Sequence, residues 1–365
     1  MKIGIDGALL SLKYPCGTKH YAEQLISALA KEDKKNIYII FSKENIKVPR
    51  ARNFHLKRIP RWLPFFKRQF FLSFLARQEK VDVFHFLGQA GSLFLKNIKV
   101  ITTVHDIDLN QIYSRLKNPF FLYEKAYVDF IRQYTFKNTS HFISNSDFTK
   151  RQLRSYLKRT KVESPITTIP LAPSQRFKVL GHAKNPRKEF FLCMGDFSPR
   201  KNVLGVIESY SILPMELRNK YDLKIIISHN APSQEFLKKA ASLEIKSNIK
   251  FINSPSLSKL VGLYNQAAIF LYPSLYEGFG LPILEAMACG CPVITSNLGA
   301  TKETAGNAAF LVNPESSIAI ADAVVKITKN PRLKKGLIFK GIERVKKFSW
   351  EKVARETLNV YKLAQ

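Results

Sequence analysis

Short apolar runs alternate with longer amphipathic segments along most of this chain. Runs of strand length occupy 2–6, 36–42, 81–86, 100–106, 141–146 and 166–169 in the first half, and 189–194, 223–228, 249–252, 268–272, 292–295 and 306–312 in the second. Between them, apolar residues recur at helical spacing, as in 21–31, 118–137, 234–241 and 260–267. Strands that alternate with helices in this way predict an α/β fold built on parallel sheets.

The stretch 268–295 carries the most specific local pattern. An apolar strand ends at Pro273, and a loop containing Gly278 and Gly280 follows it. Pro282 suits the first turn of a helix that continues to about Cys289, and a second strand comes next. The order of elements predicts a βαβ unit, in which ligands bind beyond the carboxyl ends of the strands.

Two glutamates border the crevice that this unit predicts. The start of the helix offers backbone N–H groups to an anion such as a diphosphate. Glu277 in the loop and Glu285 in the helix are poor partners for phosphate, but they can accept hydrogen bonds from sugar hydroxyls. Phosphate and polyol sites in one crevice indicate a nucleotide sugar. The alternative is that Glu285 only complements the helix dipole and that the glycines only turn the chain.

The run EGFGLPILEAMACGCPVI, from Glu277 to Ile294, resembles the E-x7-E motif of retaining glycosyltransferases of family 4, which have the GT-B fold. In that family the first glutamate contacts the donor sugar and the second contacts the ribose. Amides of the loop between them contact sugar hydroxyls and phosphate. The resemblance therefore implies donor-binding roles for Glu277, Glu285, Phe279, Gly280 and Leu281.

The same resemblance implies roles for residues elsewhere in the chain. In the family, a loop after the first strand closes on the donor diphosphate, and the resemblance gives this role to Gly17 and Thr18. One glycine after a strand can equally be a simple turn. The strand that ends in His105 implies a contact between this histidine and the donor sugar, where a structural histidine is the alternative. Arg200 and Lys201 match basic residues that bind the diphosphate.

The match at the diphosphate loop is incomplete. Many members of the family place arginine directly after the glycine, where this chain has Asp196, which leaves open whether Arg200 supplies that charge or lies in a solvated turn. The residues 106–108 spell D-x-D, a divalent-metal pattern of another glycosyltransferase fold. GT-B enzymes do not depend on a bound metal, so we expect this match to be coincidental and predict neither metal nor cofactor.

The composition indicates a globular, strongly basic protein. Hydrophobic residues make up 45% of the 365 positions, and the formal net charge is +30. Four cysteines at irregular spacing predict neither a disulfide scaffold nor a zinc site. No apolar stretch reaches the roughly 20 residues of a membrane-spanning helix. A strand pattern begins at residue 2, which leaves no room for a signal peptide and predicts a cytoplasmic protein.

The segment 58–77 mixes arginine and lysine with aromatic residues, among them Phe70, Phe71 and Phe74. A basic aromatic helix can lie on an anionic membrane, which would make the protein peripheral on the inner face of the membrane. Nucleic-acid bases can also stack on such rings, although nucleic acid is not the partner we expect. The alternative is a helix whose phenylalanines belong to the core.

We therefore predict an α/β protein of the GT-B type, with two Rossmann-like domains facing a central cleft. Residues 1–180 form the acceptor domain and 181–365 the donor domain, whose last helix, about 349–365, crosses back to the first domain. The predicted activity is that of a metal-independent, retaining hexosyltransferase, which moves a sugar from a nucleotide sugar to a glycan or lipid-linked acceptor in polysaccharide or oligosaccharide assembly.

Two alternatives to this activity remain. An epimerase or phosphorylase on the same scaffold could keep the donor residues. A non-catalytic basic protein could bind nucleic acid or membrane and retain the fold only as a scaffold.

Overall fold

The computed structural model describes most of the chain. The described residues are 1–12, 16–60, 65–89, 95, 97–107, 129–181, 190–196, 198–227 and 232–364, with the backbone alone at 65–69. Residues 182–189, residue Asp108 of the D-x-D pattern and the first part of the predicted helix 118–137 lie outside these ranges. Among the described residues, no helix is long and apolar enough to cross a membrane.

The chain divides into two compact units. Unit 1 contains Met1–Leu171 together with Ser349–Gln365, and unit 2 contains Ala172–Phe348. We predicted a boundary at 180, whereas the structure passes from one unit to the other after Leu171.

Unit 1 is built on a parallel sheet of seven strands in the order β3-β2-β1-β4-β5-β6-β7. The strands are β1 Lys2–Asp6, β2 Ile37–Ser42, β3 Phe54–Arg58, β4 Val83–Phe86, β5 Lys99–Val104, β6 His141–Ser144 and β7 Ile166–Thr168. The helices before residue 171 are α1 Gly17–Glu32, α2 Phe65–Gln78, α3 at 129–137 and α4 Asp147–Arg159, with a short 3₁₀ helix at Leu9–Ser11. The central strands are buried on both faces, which explains why they read as continuous apolar runs.

Unit 2 repeats the arrangement with six parallel strands in the order β10-β9-β8-β11-β12-β13. The strands are β8 Phe190–Gly195, β9 Asp222–Ile227, β10 Ile249–Asn253, β11 Ile269–Tyr272, β12 Val293–Ser296 and β13 Phe310–Val312. The helices are α5 Val203–Ser211, α6 Met215–Lys220, α7 Gln234–Ser242, α8 Leu257–Gln266, α9 Leu281–Ala288, α10 Gly299–Ala305, α11 Ser317–Lys329 and α12 Pro331–Val345, with 3₁₀ helices at Pro199–Lys201 and Lys246–Asn248.

Strands β8 and β11 are neighbours in this sheet, with Cys193 beside Leu271. The strand order reverses between them, so this is the switch point at which ligands bind in open α/β sheets. The loops that follow β8 and β11 leave the same edge side by side. Both loops contain predicted site residues.

The last helix, α13 (Trp350–Leu363), belongs to unit 1. It packs along α1, where Arg355 pairs with Glu32 at 3.2 Å. At its far end, the Tyr361 hydroxyl lies 2.8 Å from Nδ1 of the buried His85. The expectation that the last helix joins the first domain is confirmed.

Several predicted boundaries are wrong. Helix α1 begins at Gly17 and not at Tyr21, because the chain is already helical after Cys16. The predicted strand 306–312 is only three residues long, at Phe310–Val312. Gly306 ends α10 with a φ of +57°, a conformation that belongs to a turn.

Candidate functional site

The loops after β8 and β11 bring Lys201 and Glu277 together. Lys201 lies in the 3₁₀ helix Pro199–Lys201, and its Nζ is 2.7 Å from Oε1 of Glu277. The Leu275 N–H donates to the Arg200 carbonyl at 2.7 Å, which joins the two loops through their backbones. The ion pair follows from the parallel pairing of β8 with β11 and not from local sequence.

Tyr272, the last residue of β11, completes the group. Its hydroxyl lies 2.7 Å from Lys201 Nζ and 2.8 Å from Glu277 Oε1. Arg200 reaches the other carboxylate oxygen of Glu277 at 3.3 Å. We call these four residues, Arg200, Lys201, Tyr272 and Glu277, the switch-point cluster.

Two cations keep the buried Glu277 ionised. Burial alone would raise the pKa of this carboxyl, but the charges of Lys201 and Arg200 and the hydrogen bonds from Lys201 and Tyr272 bring it below its usual value. A carboxylate with these neighbours is a pure hydrogen-bond acceptor at neutral pH. The cluster therefore has an anionic oxygen that can accept a hydrogen bond from a hydroxyl. Beside it lie two cations that can bind a phosphate.

The glycine loop leads directly into α9. Gly280 has a φ of +91°, which a residue with a Cβ rarely adopts. The Ile283 N–H donates a hydrogen bond to the Gly280 carbonyl, and Pro282 has no N–H. The amides at Phe279, Gly280 and Leu281 are therefore the ones that the start of this helix can present to an anion.

Glu285 lies on α9 in a different electrostatic setting from Glu277. Burial raises its pKa to about 7, and the Tyr264 hydroxyl, 3.4 Å from Oε2, opposes that shift. With this raised pKa, the charge of Glu285 changes near neutral pH.

His105 follows β5 in unit 1. Its Nε2 is 2.8 Å from the Leu87 carbonyl, so this nitrogen carries the proton, because a carbonyl can only accept. Burial lowers the pKa of His105 to about 4, so the ring is neutral at pH 7 and Nδ1 is its acceptor. The Asn145 side chain fixes the backbone by donating to the His105 carbonyl at 2.9 Å.

Gly17 and Thr18 occupy the first turn of α1 and not the loop that we predicted. A Cβ at Gly17 would meet open space, so packing does not explain this glycine. The ring of Tyr21, one turn further on, lies edge-on to His105 with centroids 4.7 Å apart. The structure thus brings the start of α1 near His105 within unit 1.

Sequence reasoning missed Tyr272 and Tyr264 as site residues. Both were assigned to secondary structure alone, since a tyrosine in an apolar run looks like core. The available signal for Tyr272 was its place as the last residue of a strand, at the edge where ligands bind. Tyr264 lies inside α8, and no pattern in the sequence distinguishes it from its apolar neighbours.

The described residues contain no group of three or more histidine, cysteine, aspartate or glutamate side chains arranged to hold a metal ion. The Asp196 carboxylate accepts from the Ser198 N–H at 2.7 Å and so stabilises the loop before Arg200.

Comparisons with known proteins match nearly the whole chain. A family model of glycosyl transferases group 1 matches residues 175–344, and a model of glycosyltransferase family 4 matches residues 17–172. The O-antigen chain mannosyltransferase B of Escherichia coli is 33% identical over 205 residues, which are 56% of this chain and 54% of that protein. The O-antigen chain mannosyltransferase RfbU of Salmonella typhimurium is 27% identical over 233 residues, 63% of this chain and 61% of that protein. The matches thus span less than two thirds of either relative.

Solved structures share the fold over the full length. WaaG, a glycosyltransferase involved in lipopolysaccharide biosynthesis, superposes with a TM-score of 0.74 at 15% identity and covers 98% of this chain and 99% of its own. Anabaena HepE, determined in complex with UDP-glucose, gives a TM-score of 0.73 at 15% identity, with 99% of both chains covered. The expected two-domain α/β fold is confirmed.

Proposed function

Because the chain belongs to the glycosyltransferases of group 1 and family 4, we propose that it transfers a hexose from a nucleotide sugar to a glycan or lipid-linked acceptor. The observation that carries this proposal is the switch-point cluster. It combines a buried, ionised Glu277 with the cations of Lys201 and Arg200 at the ligand-binding edge of unit 2.

The cluster suits the departure of a nucleotide diphosphate. Negative charge develops on the diphosphate as the bond to the sugar breaks, and cations fixed in a partly buried site stabilise such charge. Lys201 and Arg200 supply these cations, together with the amides at the start of α9. Glu277 accepts a hydrogen bond from a sugar hydroxyl, and Glu285 accepts from the ribose once it is ionised.

We propose retention of configuration and independence from metal as parts of the same mechanism. With two cations and a helix start beside the diphosphate, metal-free stabilisation of the leaving group is chemically adequate. The acceptor would attack from the face that the diphosphate leaves, and a diphosphate oxygen would take its proton. The contact of His105 with the donor sugar stays a prediction. It is supported by the neutral ring, whose Nδ1 can accept a hydrogen bond from a sugar hydroxyl.

Both relatives described above are O-antigen chain mannosyltransferases, which favours mannose as the transferred sugar. We therefore propose that the donor is a nucleotide-activated mannose, whose nucleotide base the donor panel below identifies.

The first test is release of nucleotide from a panel of nucleotide sugars by the purified protein. We expect one donor to be hydrolysed slowly without acceptor, and Lys201→Ala and Glu277→Ala each to reduce the rate by about 100-fold or more. Lys239→Ala is the matched control, because it removes a lysine from an exposed pair with Glu208 in the same unit. Turnover of no donor, or full activity in both site variants, would refute the proposal.

The products separate this proposal from its rivals. A transferase yields free nucleotide diphosphate and a glycosylated acceptor or free sugar. An epimerase yields an altered nucleotide sugar, and a phosphorylase yields a sugar phosphate. The anomeric configuration of the released or transferred sugar, read by NMR, decides retention, and an unchanged rate in EDTA is the expected result for a metal-independent enzyme.

We further propose that α2 places the protein on the inner face of an anionic membrane. Phe70 and Phe74 are 57% and 58% exposed and lie one turn apart, whereas Leu72 and Leu75 of the same helix are buried. Among the phenylalanines of α2 whose side chains the structure describes, the core alternative holds for Phe71, which packs against the core of unit 1. Exposed rings on a strongly basic protein suit an interface with anionic head groups.

Sedimentation with vesicles containing phosphatidylglycerol tests this second proposal. The double variant Phe70→Ser/Phe74→Ser should bind at least tenfold more weakly than wild type, since two apolar anchors are lost. Phe339→Ser is the control, because Phe339 is 68% exposed on α12 of unit 2. Equal binding by wild type and the double variant would contradict the proposal, as would preferential binding to nucleic acid.

A further inference from the structure

Tyr272 is the one member of the switch-point cluster without a charge, and it contacts both charged partners. Its side chain is 1% exposed, and its ring stacks on Phe270 with centroids 5.6 Å apart. The hydroxyl lies within 2.8 Å of both Lys201 Nζ and Glu277 Oε1. A tyrosine that served only to fill the core would not need this polar end at the ligand edge of the sheet.

The chemistry of the three groups fixes the direction of each hydrogen bond. The Lys201 ammonium has only donors, so it donates to the tyrosine oxygen and to Glu277 Oε1. The single O–H of Tyr272 therefore donates to the same carboxylate oxygen. Each of the three atoms is held by two partners, which closes a triangle.

This triangle leaves the ammonium with one further N–H. Two of the three Lys201 donors point to the tyrosine and the carboxylate, and the geometry of the tetrahedral nitrogen then fixes the direction of the third. A flexible lysine is thereby held in one orientation before any ligand arrives.

We propose that Tyr272 is a positioning residue that acts through Lys201 and Glu277, orienting the ammonium toward the donor diphosphate and the carboxylate toward the sugar. The inference rests on the proposed glycosyl transfer. It adds a residue that touches neither phosphate nor sugar but sets the geometry of the two groups that do. Preorganisation of this kind acts on the charge that develops in the transition state.

The test is Tyr272→Phe, which keeps the ring and removes the hydroxyl. We expect kcat for donor hydrolysis to fall about 10- to 100-fold with a change in KM of less than about threefold, because the lost interaction matters most as the diphosphate leaves. The acidic limb of the pH profile should move to higher pH, because Glu277 loses a donor while Arg200 and Lys201 remain as its charged neighbours.

Two comparisons separate positioning from a general loss of structure. Tyr210→Phe removes another buried hydroxyl in unit 2, one that donates to the carbonyls of Arg218 and Tyr221, and it should leave kcat unchanged. In a Lys201→Ala background, Tyr272→Phe should cause a smaller loss than it does in wild type, because Glu277 is then the only one of its two partners left to orient.

The outcomes separate the positioning role of Tyr272 from the glycosyl transfer itself. If wild type turns over a donor while Tyr272→Phe matches Tyr210→Phe in kcat and in pH profile, the positioning role is refuted and the glycosyltransferase remains. A loss that multiplies fully with that of Lys201→Ala also refutes it. If wild type turns over no donor, the proposed function fails and this inference fails with it.

Discussion

Glu277 and Glu285 belong to one motif, yet their surroundings drive their charges in opposite directions. Both are buried to the same extent, with 8% of each residue exposed. Glu277 has Lys201 and Arg200 beside it, and its pKa is lowered, whereas Glu285 has the hydroxyl of Tyr264, and its pKa rises to about 7. Burial alone therefore does not determine the charge of a glutamate, because the partners decide.

The raised pKa of Glu285 predicts that stability falls as the pH rises from about 4.5 to about 7. In this window the folded protein keeps a proton on Glu285 that the unfolded chain has lost, so deprotonation favours unfolding. The loss is on the order of 3 kcal/mol for this shift. Glu285→Gln removes the group, so the variant should lose less stability than wild type between pH 5 and pH 8, measured by denaturant unfolding at both pH values.

Glu235→Gln is the control for this comparison, since Glu235 is exposed in the first turn of α7. It should follow wild type at both pH values. The same change in stability for Glu285→Gln and wild type would show that Glu285 does not titrate in this window.

The sequence identified the charged members of the switch-point cluster, but it could not identify their contacts. Lys201 and Tyr272 are 71 positions apart, and only the pairing of β8 with β11 brings them together. Glu277 could be recognised because its motif is local and specific. The role of Tyr272 depends on long-range geometry, which no local pattern contains.

The apolar runs predicted most strands. The exact ends of strands and helices could not be predicted from the spacing of apolar residues. Strand β3 was not predicted, since FHLKR contains too few apolar residues for a clear run and lies at the edge of its sheet. Helix α10 was not predicted either, and GATKETA is too short for a helical period to stand out. Its last turn nevertheless contacts the glycine loop before α9.

Thr304 of α10 ties this helix to the glycine loop. Its buried hydroxyl donates to the Phe279 carbonyl at 2.5 Å, and Arg344 in turn donates to the Thr304 carbonyl at 3.1 Å. Thr304→Val keeps the shape of the side chain and leaves a carbonyl without this donor. We expect a loss of about 1–3 kcal/mol in unfolding free energy and a weaker binding of the donor, measured by denaturant unfolding and by titration with the donor.

Thr328→Val is the matched control, because the Thr328 hydroxyl donates to the carbonyl of Val324 one turn earlier in its own helix. That change should cost less than about 0.5 kcal/mol. Equal losses in the two variants, or unchanged donor binding in Thr304→Val, would show that the contact with Phe279 does not hold the loop.

The chain forms the parallel sheet of unit 1, then that of unit 2, and its last helix belongs to unit 1 again. Their strand orders both reverse next to the first strand of the unit, so each unit has a switch point, the place where ligands bind in open α/β sheets. The sequence predicted this repetition because each unit alternates strands and helices. The exact point of transfer after Leu171 was not predicted, since we placed the boundary at 180 and unit 2 begins at Ala172.

The return of the chain to unit 1 depends on polar contacts that the sequence did not reveal. His85 lies at the centre of a buried chain of hydrogen bonds, with Nδ1 2.8 Å from the Tyr361 hydroxyl and Nε2 2.8 Å from the hydroxyl of Thr103. The Thr103 hydroxyl lies 3.0 Å from that of Tyr21 on α1. Burial lowers the pKa of His85 to about 3, so the ring is neutral and the network stays intact at neutral pH.

Tyr361→Phe should loosen α13, because it leaves a buried imidazole nitrogen without its partner while the apolar contacts remain. We expect a loss of about 1–3 kcal/mol and faster amide exchange along Trp350–Leu363. Tyr156→Phe is the control, since the buried Tyr156 hydroxyl has no hydrogen-bond partner within the described part of the chain, and its removal should be nearly neutral. Similar exchange rates in α13 for both variants would show that packing along α1, and not the bond to His85, holds the last helix in place.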